Sequence, residues 1–288
     1  MEETLRQFNP WWERDYSSPG ILRPGYLEKI ENALGRQSVA ILYGLRRVGK
    51  TTIMRQFVAR NLGTMPADRI YFASMDHPSM EQTSIIDILR EFRRITSAST
   101  GESVLLLLDE VQHRTGFEKE MKAIVDMDEK VKIVASGSSS LALGHASPYL
   151  TGRYRKIPVR PLDFREFLSF RSREYMEGEP QLMEALAEEY LLTGGMPRYV
   201  VTRDPLIITE MIEDVIYKDI CSRYDVQDPK LLKELYYMLM VRVGKPLSFS
   251  KMGRLVGVSV DSARRYVGYF RESFLLDIME RDGSPNVR

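Results

Sequence analysis

The residues best suited to chemistry stand in the run Gly44-Leu45-Arg46-Arg47-Val48-Gly49-Lys50-Thr51, which fills the pattern G-x-x-x-x-G-K-[ST]. Its two glycines let the backbone curl until several N–H groups point at one anion. A helix opening at the lysine adds the positive end of its dipole. Gly44, Arg46, Arg47, Val48, Gly49, Lys50, Thr51 and Thr52 are therefore candidate contacts for a nucleoside triphosphate. Lys50 is expected to reach the β- and γ-phosphates and Thr51 to place its hydroxyl on Mg²⁺, with Thr52 supporting the phosphate end.

A second group completes the constellation. Val104-Leu105-Leu106-Leu107-Leu108-Asp109-Glu110 is an apolar strand ending in two acids. In a parallel sheet the C-terminal strand edge carries the functional groups, so the acids fall beside the phosphate loop. Asp109 is expected to hold Mg²⁺, directly or through water, and Glu110 to polarise the attacking water. The next apolar run ends Ala135-Ser136-Gly137-Ser138-Ser139-Ser140. Ser136 and Ser138 are candidates for orienting water or touching the γ-phosphate; the alternative is a serine-rich loop that caps the following helix. Arg153, in Leu150-Thr151-Gly152-Arg153, is a candidate for stabilising transition-state charge, in cis or from a neighbouring subunit. The alternative is a surface arginine in a run with Arg155 and Lys156.

These side chains need a scaffold. Short buried runs at Val39–Tyr43, Arg69–Ala73, Val104–Leu108 and Val131–Ala135 lack polar alternation, as strands of a parallel sheet covered on both faces do. Helical spacing falls between them at Thr51–Asn61, Ser84–Ile95 and Phe117–Met127, and before them at Tyr26–Leu34. Strand–helix alternation predicts an α/β core. Beyond about 158 the strand signal fades. Helices are expected at Asp163–Phe170, Gln181–Leu192, Ile207–Ile220 and Lys230–Val243, punctuated by Pro158, Pro161, Pro180 and Pro205.

The last stretch predicts a helix-turn-helix. Met252, Leu255 and Val256 face inward on a short helix, Gly257-Val258-Ser259 turns, and Ser259 caps a second helix that buries Ala263, Val267 and Phe270. Phe274 to Met279 alternates enough for a wing strand. Arg264, Arg265 and Arg271 are exposed on the second helix, where they could meet DNA phosphates or base edges. A protein-interaction surface is the alternative. The expected division is an α/β core over 1–157, a helical lid over 158–227 and a winged helix over 228–288.

Composition excludes several classes. The 288 residues carry a net charge of +1, so any nucleic-acid face must be local. The single cysteine, Cys221, excludes an intramolecular disulfide framework and fits a reducing cytoplasm. The N-terminus lacks the apolar stretch of a signal peptide, and Val104–Leu108 is far too short to cross a bilayer.

Taken in order, the phosphate loop, Leu108-Asp109-Glu110-Val111-Gln112, Ser136-Gly137-Ser138-Ser139-Ser140, Leu150-Thr151-Gly152-Arg153, Pro161-Leu162-Asp163-Phe164-Arg165-Glu166-Phe167 and Gly194-Gly195-Met196-Pro197 resemble a prokaryotic AAA-type ATPase family. That family is distantly related to the archaeal ATPases and Orc/Cdc6-like proteins. The resemblance covers nearly the whole sequence. It implies an ASCE/AAA-like P-loop NTPase core, a helical lid and a winged helix, with ATP rather than GTP as ligand. No N-K-x-D-type guanine reader is present. Members commonly continue into a domain similar to restriction-endonuclease folds; this sequence stops at Arg288, so it is expected either to be truncated or to lack that module, and it gives nuclease activity no support. The expected activity is Mg²⁺-dependent ATP hydrolysis that switches the lid and winged helix. A nucleotide-gated DNA-binding regulator and a protein-interaction switch, through a partner or self-association, are the alternatives.

Overall fold

In the computed structural model, residues 1–80, 82–137, 152–173 and 178–279 are described. They fall into two compact units, one running to Asp204 and one from Pro205 onward.

The first unit is built on five parallel strands: β1 (Val39–Tyr43), β2 (Ile70–Ser74), β3 (Val104–Asp109), β4 (Val131–Gly137) and β5 (Tyr154–Pro158), in the order β2-β3-β4-β1-β5. Parallel neighbours need crossovers, and helices supply them. Helix α1 (Glu2–Phe8) and α2 (Pro24–Leu34) precede the sheet; α3 (Lys50–Asn61), α4 (Ile85–Thr96) and α5 (Phe117–Met127) connect its strands. The apolar runs are buried as their lack of alternation requires: all six residues of β3 are inaccessible, as are four of the five in β1 and in β2. The register pairs Tyr43 with Gly137 and Leu108 with Ala135, so β1, β3 and β4 all end at one edge of the sheet. That edge carries the functional groups.

The lead-in segment covers the sheet's open β2 side. Asn9 acts there as a substitute strand: its Oδ1 accepts from the Phe72 N–H at 2.7 Å and its Nδ2 donates to the Phe72 carbonyl at 2.9 Å. Trp11 and Trp12 both donate their indole N–H to the Ile70 carbonyl. The edge is thus closed to pairing with another chain.

After β5 come α6 (Phe164–Phe170), α7 (Pro180–Thr193) and α8 (Pro197–Thr202). They share a small core of Leu162, Phe167, Leu168, Met183, Leu186 and Val200. Gly195 is fixed by close approach. A Cβ there would run into the Leu162 backbone, whose N–H donates to the Gly195 carbonyl at 2.7 Å. The Gly194-Gly195 turn therefore seats α8.

The second unit is helical: α9 (Leu206–Asp214), continuing through π-helical turns over Val215–Cys221, then α10 (Pro229–Met240), α11 (Phe249–Val256) and α12 (Val260–Glu272). Ser248 and Ser259 cap α11 and α12, and Ala263, Val267 and Phe270 are buried as expected. Two expectations are corrected. Leu255 is exposed, because α11 turns Met252 and Gly253 inward; Gly253 lies so close to the Val258 carbonyl that no Cβ would fit. No strand forms over 274–279. Phe274 takes a left-handed turn (φ 63°), Leu275 donates back to the Phe270 carbonyl, and the described residues of this unit hold no strand to pair with. Among the described residues, no helix is long and apolar enough to cross a membrane.

Candidate functional site

The loop 44–49 leaves β1 and enters α3 through left-handed positions at Arg47 (φ 65°) and Gly49 (φ 96°). Gly44 has a separate constraint. A Cβ on it would lie against the Val159 carbonyl, because Val159 donates its N–H to Tyr43 at 2.8 Å and brings the post-β5 segment directly behind the loop. Lys50 is buried, and its ammonium spans the loop, donating to the carbonyls of Gly44 and Leu45, both at 3.0 Å.

Asp109 ends β3 with 3% of its surface exposed. Its carboxylate accepts a hydrogen bond from the Ser136 hydroxyl, and the Thr51 hydroxyl lies next to it. Burial raises its pKa above the ordinary carboxylate value; the two hydroxyls and the Lys50 charge oppose that shift, while Glu110 adds to it. Glu110 follows in a left-handed conformation (φ 52°). Its backbone N–H reaches Asp109 Oδ1 and Ser136 Oγ, and its side chain accepts from the Gln112 amide. The bend separates the roles of the two acids: Asp109 turns under the loop toward Thr51, while Glu110 lines the cavity beside it.

That cavity measures about 600 Å³, within the range of small-molecule sites. Arg47, Val48, Gly49, Lys50, Thr51 and Thr52 form its floor, with Glu110 beside them. Gly20, Ile21 and Arg23 of the lead-in segment, Ile53 and Gln56 of α3, Phe170 of α6, and Pro197, Arg198, Val201 and Thr202 of α8 complete the wall. Sequence reasoning passed over Ile21, Phe170, Arg198 and Val201. Phe170, Arg198 and Val201 lie near segments quoted for the family resemblance; nothing in the sequence marks Ile21. Arg46 is half-buried in the loop but is not among the cavity-lining residues.

Other expected residues fall elsewhere. Ser136 is fully buried and bonds Asp109, which makes it a support for the acid rather than a cavity contact. Ser138 lies outside the described residues. Arg153 is corrected only for a role within one chain. It immediately precedes β5, whose Tyr154 pairs with Val39 at the start of β1. Its carbonyl accepts from the N–H groups of Ser38 and Val39, and its Nε donates to Asp126 at 2.6 Å. It therefore sits at the sheet edge opposite the phosphate loop, about 16 Å away along the five residues of β1. A reach to the γ-phosphate within one chain does not fit. Arg264, Arg265 and Arg271 are exposed on α12, the first over the Phe249 ring and the second over Tyr266.

The raised pKa of Asp109 carries a stability consequence. Both states are neutral below the ordinary carboxylate pKa. As pH rises from there toward the raised folded value, the unfolded chain ionises first and stability is lost. Above that range the burial of the carboxylate works against folding. Asp109→Asn should therefore raise the melting temperature of the nucleotide-free protein. Calorimetry without nucleotide or Mg²⁺ is the check; a drop of several degrees would mean that the hydroxyls beside Asp109 outweigh its desolvation.

Comparison with known proteins agrees with this geometry. The family described as AAA domain matches residues 36–168, and a domain of unknown function, DUF8612, matches 184–288. An uncharacterised protein of Haemophilus influenzae is 26% identical over 269 residues, covering 88% of this chain and 65% of that protein. An uncharacterised protein of Methanocaldococcus jannaschii is also 26% identical, covering 83% of this chain and 55% of that one. The chain thus spans between about half and two thirds of the length of these relatives. Among solved structures, a Walker-type ATPase of Pyrococcus abyssi superposes with a TM-score of 0.52 at 13% identity, covering 91% of this chain and 93% of that one; the likeness is one of fold. A parallel sheet in the order β2-β3-β4-β1-β5 and a complete phosphate loop give residues 36–168 the P-loop NTPase fold, and the same residues, both acids included, match the AAA-domain family.

Proposed function

We propose that the protein binds ATP in the 600 Å³ cavity and hydrolyses it with Mg²⁺, the nucleotide state setting the disposition of the helices that follow the α/β core. The observation that carries this reading is the loop spanned by the Lys50 ammonium, with the Thr51 hydroxyl next to the buried Asp109 carboxylate that Ser136 holds. A hydroxyl and a carboxylate side by side are hard oxygen donors of the kind Mg²⁺ takes alongside phosphate oxygens. Thr51 and Asp109 would hold Mg²⁺, which would supply charge to offset that of the phosphates.

The residues divide the remaining work. Loop amides and Lys50 hold the triphosphate, and Thr51 and Asp109 hold the metal. Glu110, on the cavity wall, orients the attacking water and takes its proton. Ile21, Phe170, Pro197 and Val201 offer apolar surface for a base, and Arg198 adds a cation on the α8 side. Because α8 lines the cavity, gain or loss of the γ-phosphate bears on the segment that follows the core, the kind of loop and helix response that phosphate contacts drive in other switches. The test is phosphate release from ATP with and without Mg²⁺; release at the same rate in both arms would end the reading.

A second reading, a nucleotide-gated DNA-binding regulator, draws support from the three exposed arginines of α12. Duplex affinity that falls with salt, and falls further in the Arg264→Ala/Arg265→Ala protein, would favour it; no duplex binding at low salt in either nucleotide state would remove it.

A further inference from the structure

We propose that Arg23 is a positioning residue for the phosphate loop and the joint that couples the loop to helix α6; the proposal rests on the ATP reading above. Arg23 lies 3% exposed, outside every motif. Its guanidinium forks onto Glu166, Nε to Oε1 at 2.8 Å and Nη2 to Oε2 at 2.7 Å. Nη2 also donates to the Arg160 carbonyl at 3.0 Å, and Nη1 donates to the Val48 carbonyl at 3.0 Å.

The Val48 bond has a geometric consequence. A trans peptide is planar, so its C=O and the following N–H point in opposite directions. Holding the Val48 carbonyl toward Arg23 turns the Gly49 N–H the opposite way, which fixes the orientation of one amide of the phosphate loop. Glycine at 49 makes this peptide easy to rotate, because φ there is free of the Cβ penalty. An external hydrogen bond is therefore what selects one orientation before the ligand arrives.

The same side chain reaches α6. Glu166 is the third residue of that helix and closes its capping box: Oε2 accepts from the Asp163 N–H at 3.1 Å, and Asp163 Oδ1 accepts from the Glu166 N–H at 2.9 Å. The start of α6 and the orientation of the Val48–Gly49 peptide are set by one guanidinium. Arg23 is itself held. Its N–H donates to Oε1 of the buried Gln56 on α3, and its plane lies 4.5 Å over Tyr26. Lysine cannot replace this fork, since a single ammonium on a flexible stem does not serve a carboxylate and two carbonyls in fixed directions. A shift of the loop on binding phosphate is passed to the α6 start by the same bonds, and the reverse holds by linkage.

Arg23→Lys and Glu166→Gln test this with two readouts. The first is amide hydrogen exchange in the nucleotide-free protein. Arg23→Lys should speed exchange at least 10-fold in both 44–50 and 164–170, and Glu166→Gln should do so mainly in 164–170, with a smaller rise in 44–50. The second is a fluorescent ATP analogue. Arg23→Lys should weaken its affinity at least 10-fold while kcat at saturating ATP stays within threefold, the pattern of lost ground-state positioning. Glu166→Gln should weaken affinity two- to fivefold. A merely structural role predicts a lower melting temperature with unchanged affinity. The proposal is overturned if folded Arg23→Lys binds within twofold of wild type, or if its exchange rises in 164–170 alone. Should Arg23→Lys not fold, Glu166→Gln decides: unchanged affinity with unchanged exchange in 44–50 overturns it. Wild-type protein that bound no ATP analogue would instead sink the ATP reading, and the nucleotide-free exchange would still decide whether the clamp exists.

Discussion

Lys50→Ala should reduce Mg²⁺-dependent phosphate release from ATP by about 10³-fold or more, the largest loss expected from any single substitution in this protein. The reasoning is electrostatic. Lys50 is buried and holds the loop by its bonds to Gly44 and Leu45. Among the residues lining the floor of the cavity it is the lysine, aimed at the centre of curvature of the loop. Truncation removes that charge from a confined site, where it counts for more than in water. It also strips partners from two carbonyls, at about 1–3 kcal/mol for each that stays buried and unsatisfied. A loss of activity could therefore reflect a collapsed loop. Lys50→Arg separates the causes, because it keeps the charge but not the point-like ammonium. Phosphate release, analogue affinity and thermal melting should be measured together. The charge argument expects Lys50→Ala to melt within a few degrees of wild type while turnover disappears. Undiminished turnover in folded Lys50→Ala would show that the triphosphate is held elsewhere.

The phosphate loop and both acids were legible because each is local. Five or six apolar residues with no polar interruption announce a strand buried on both faces, and Gly44, Asp109 and Ser136 then fall at strand ends by counting. The strand order, with β4 between β1 and β3, brings those ends to one edge. What sequence hid is what depends on distant partners. Arg23 meets Val48, Arg160 and Glu166, between 25 and 143 residues away, and nothing in Leu22-Arg23-Pro24 marks it. Asn9 reads as an ordinary helix end until Phe72 is beside it. Strand β5 was lost to its composition. An edge strand carries charge, and Tyr154-Arg155-Lys156-Ile157-Pro158 has only Ile157 fully buried. That omission explains the misplacement of Arg153. A residue just before a parallel strand lies at the edge opposite a residue just after one, so recognising β5 would have put Arg153 across the sheet from Lys50. The π-helical turns at Val215–Cys221 left no trace either, since over seven residues their apolar spacing matches that of an α-helix.

Glu110→Gln should separate binding from chemistry. The substitution keeps the size of the side chain and one oxygen able to accept from the Gln112 amide, but removes the group that takes a proton. The left-handed backbone at Glu110, φ 52°, is a conformation that non-glycine residues adopt infrequently. It directs the side chain to the cavity wall, away from the metal-facing position of Asp109. Affinity for ATP should stay within about threefold of wild type, because the loop, Lys50 and Thr51 are untouched. The turnover number should fall about 10²- to 10³-fold, the usual range for removing a positioned general base. Asp109→Asn gives the contrast. It should raise the Mg²⁺ concentration needed for half-maximal rate, whereas Glu110→Gln should leave that concentration unchanged and lower only the plateau. Mg²⁺ titrations of phosphate release on the two variants, with analogue binding in parallel, make the comparison. A turnover number for Glu110→Gln within threefold of wild type would remove Glu110 as the base. A shift in Mg²⁺ demand equal to that of Asp109→Asn would mean that the bend at position 110 does not separate the two acids. In either case the division of labour derived from that backbone angle would fail, while the assignment of Lys50 and Thr51 to the phosphates would stand on its own geometry.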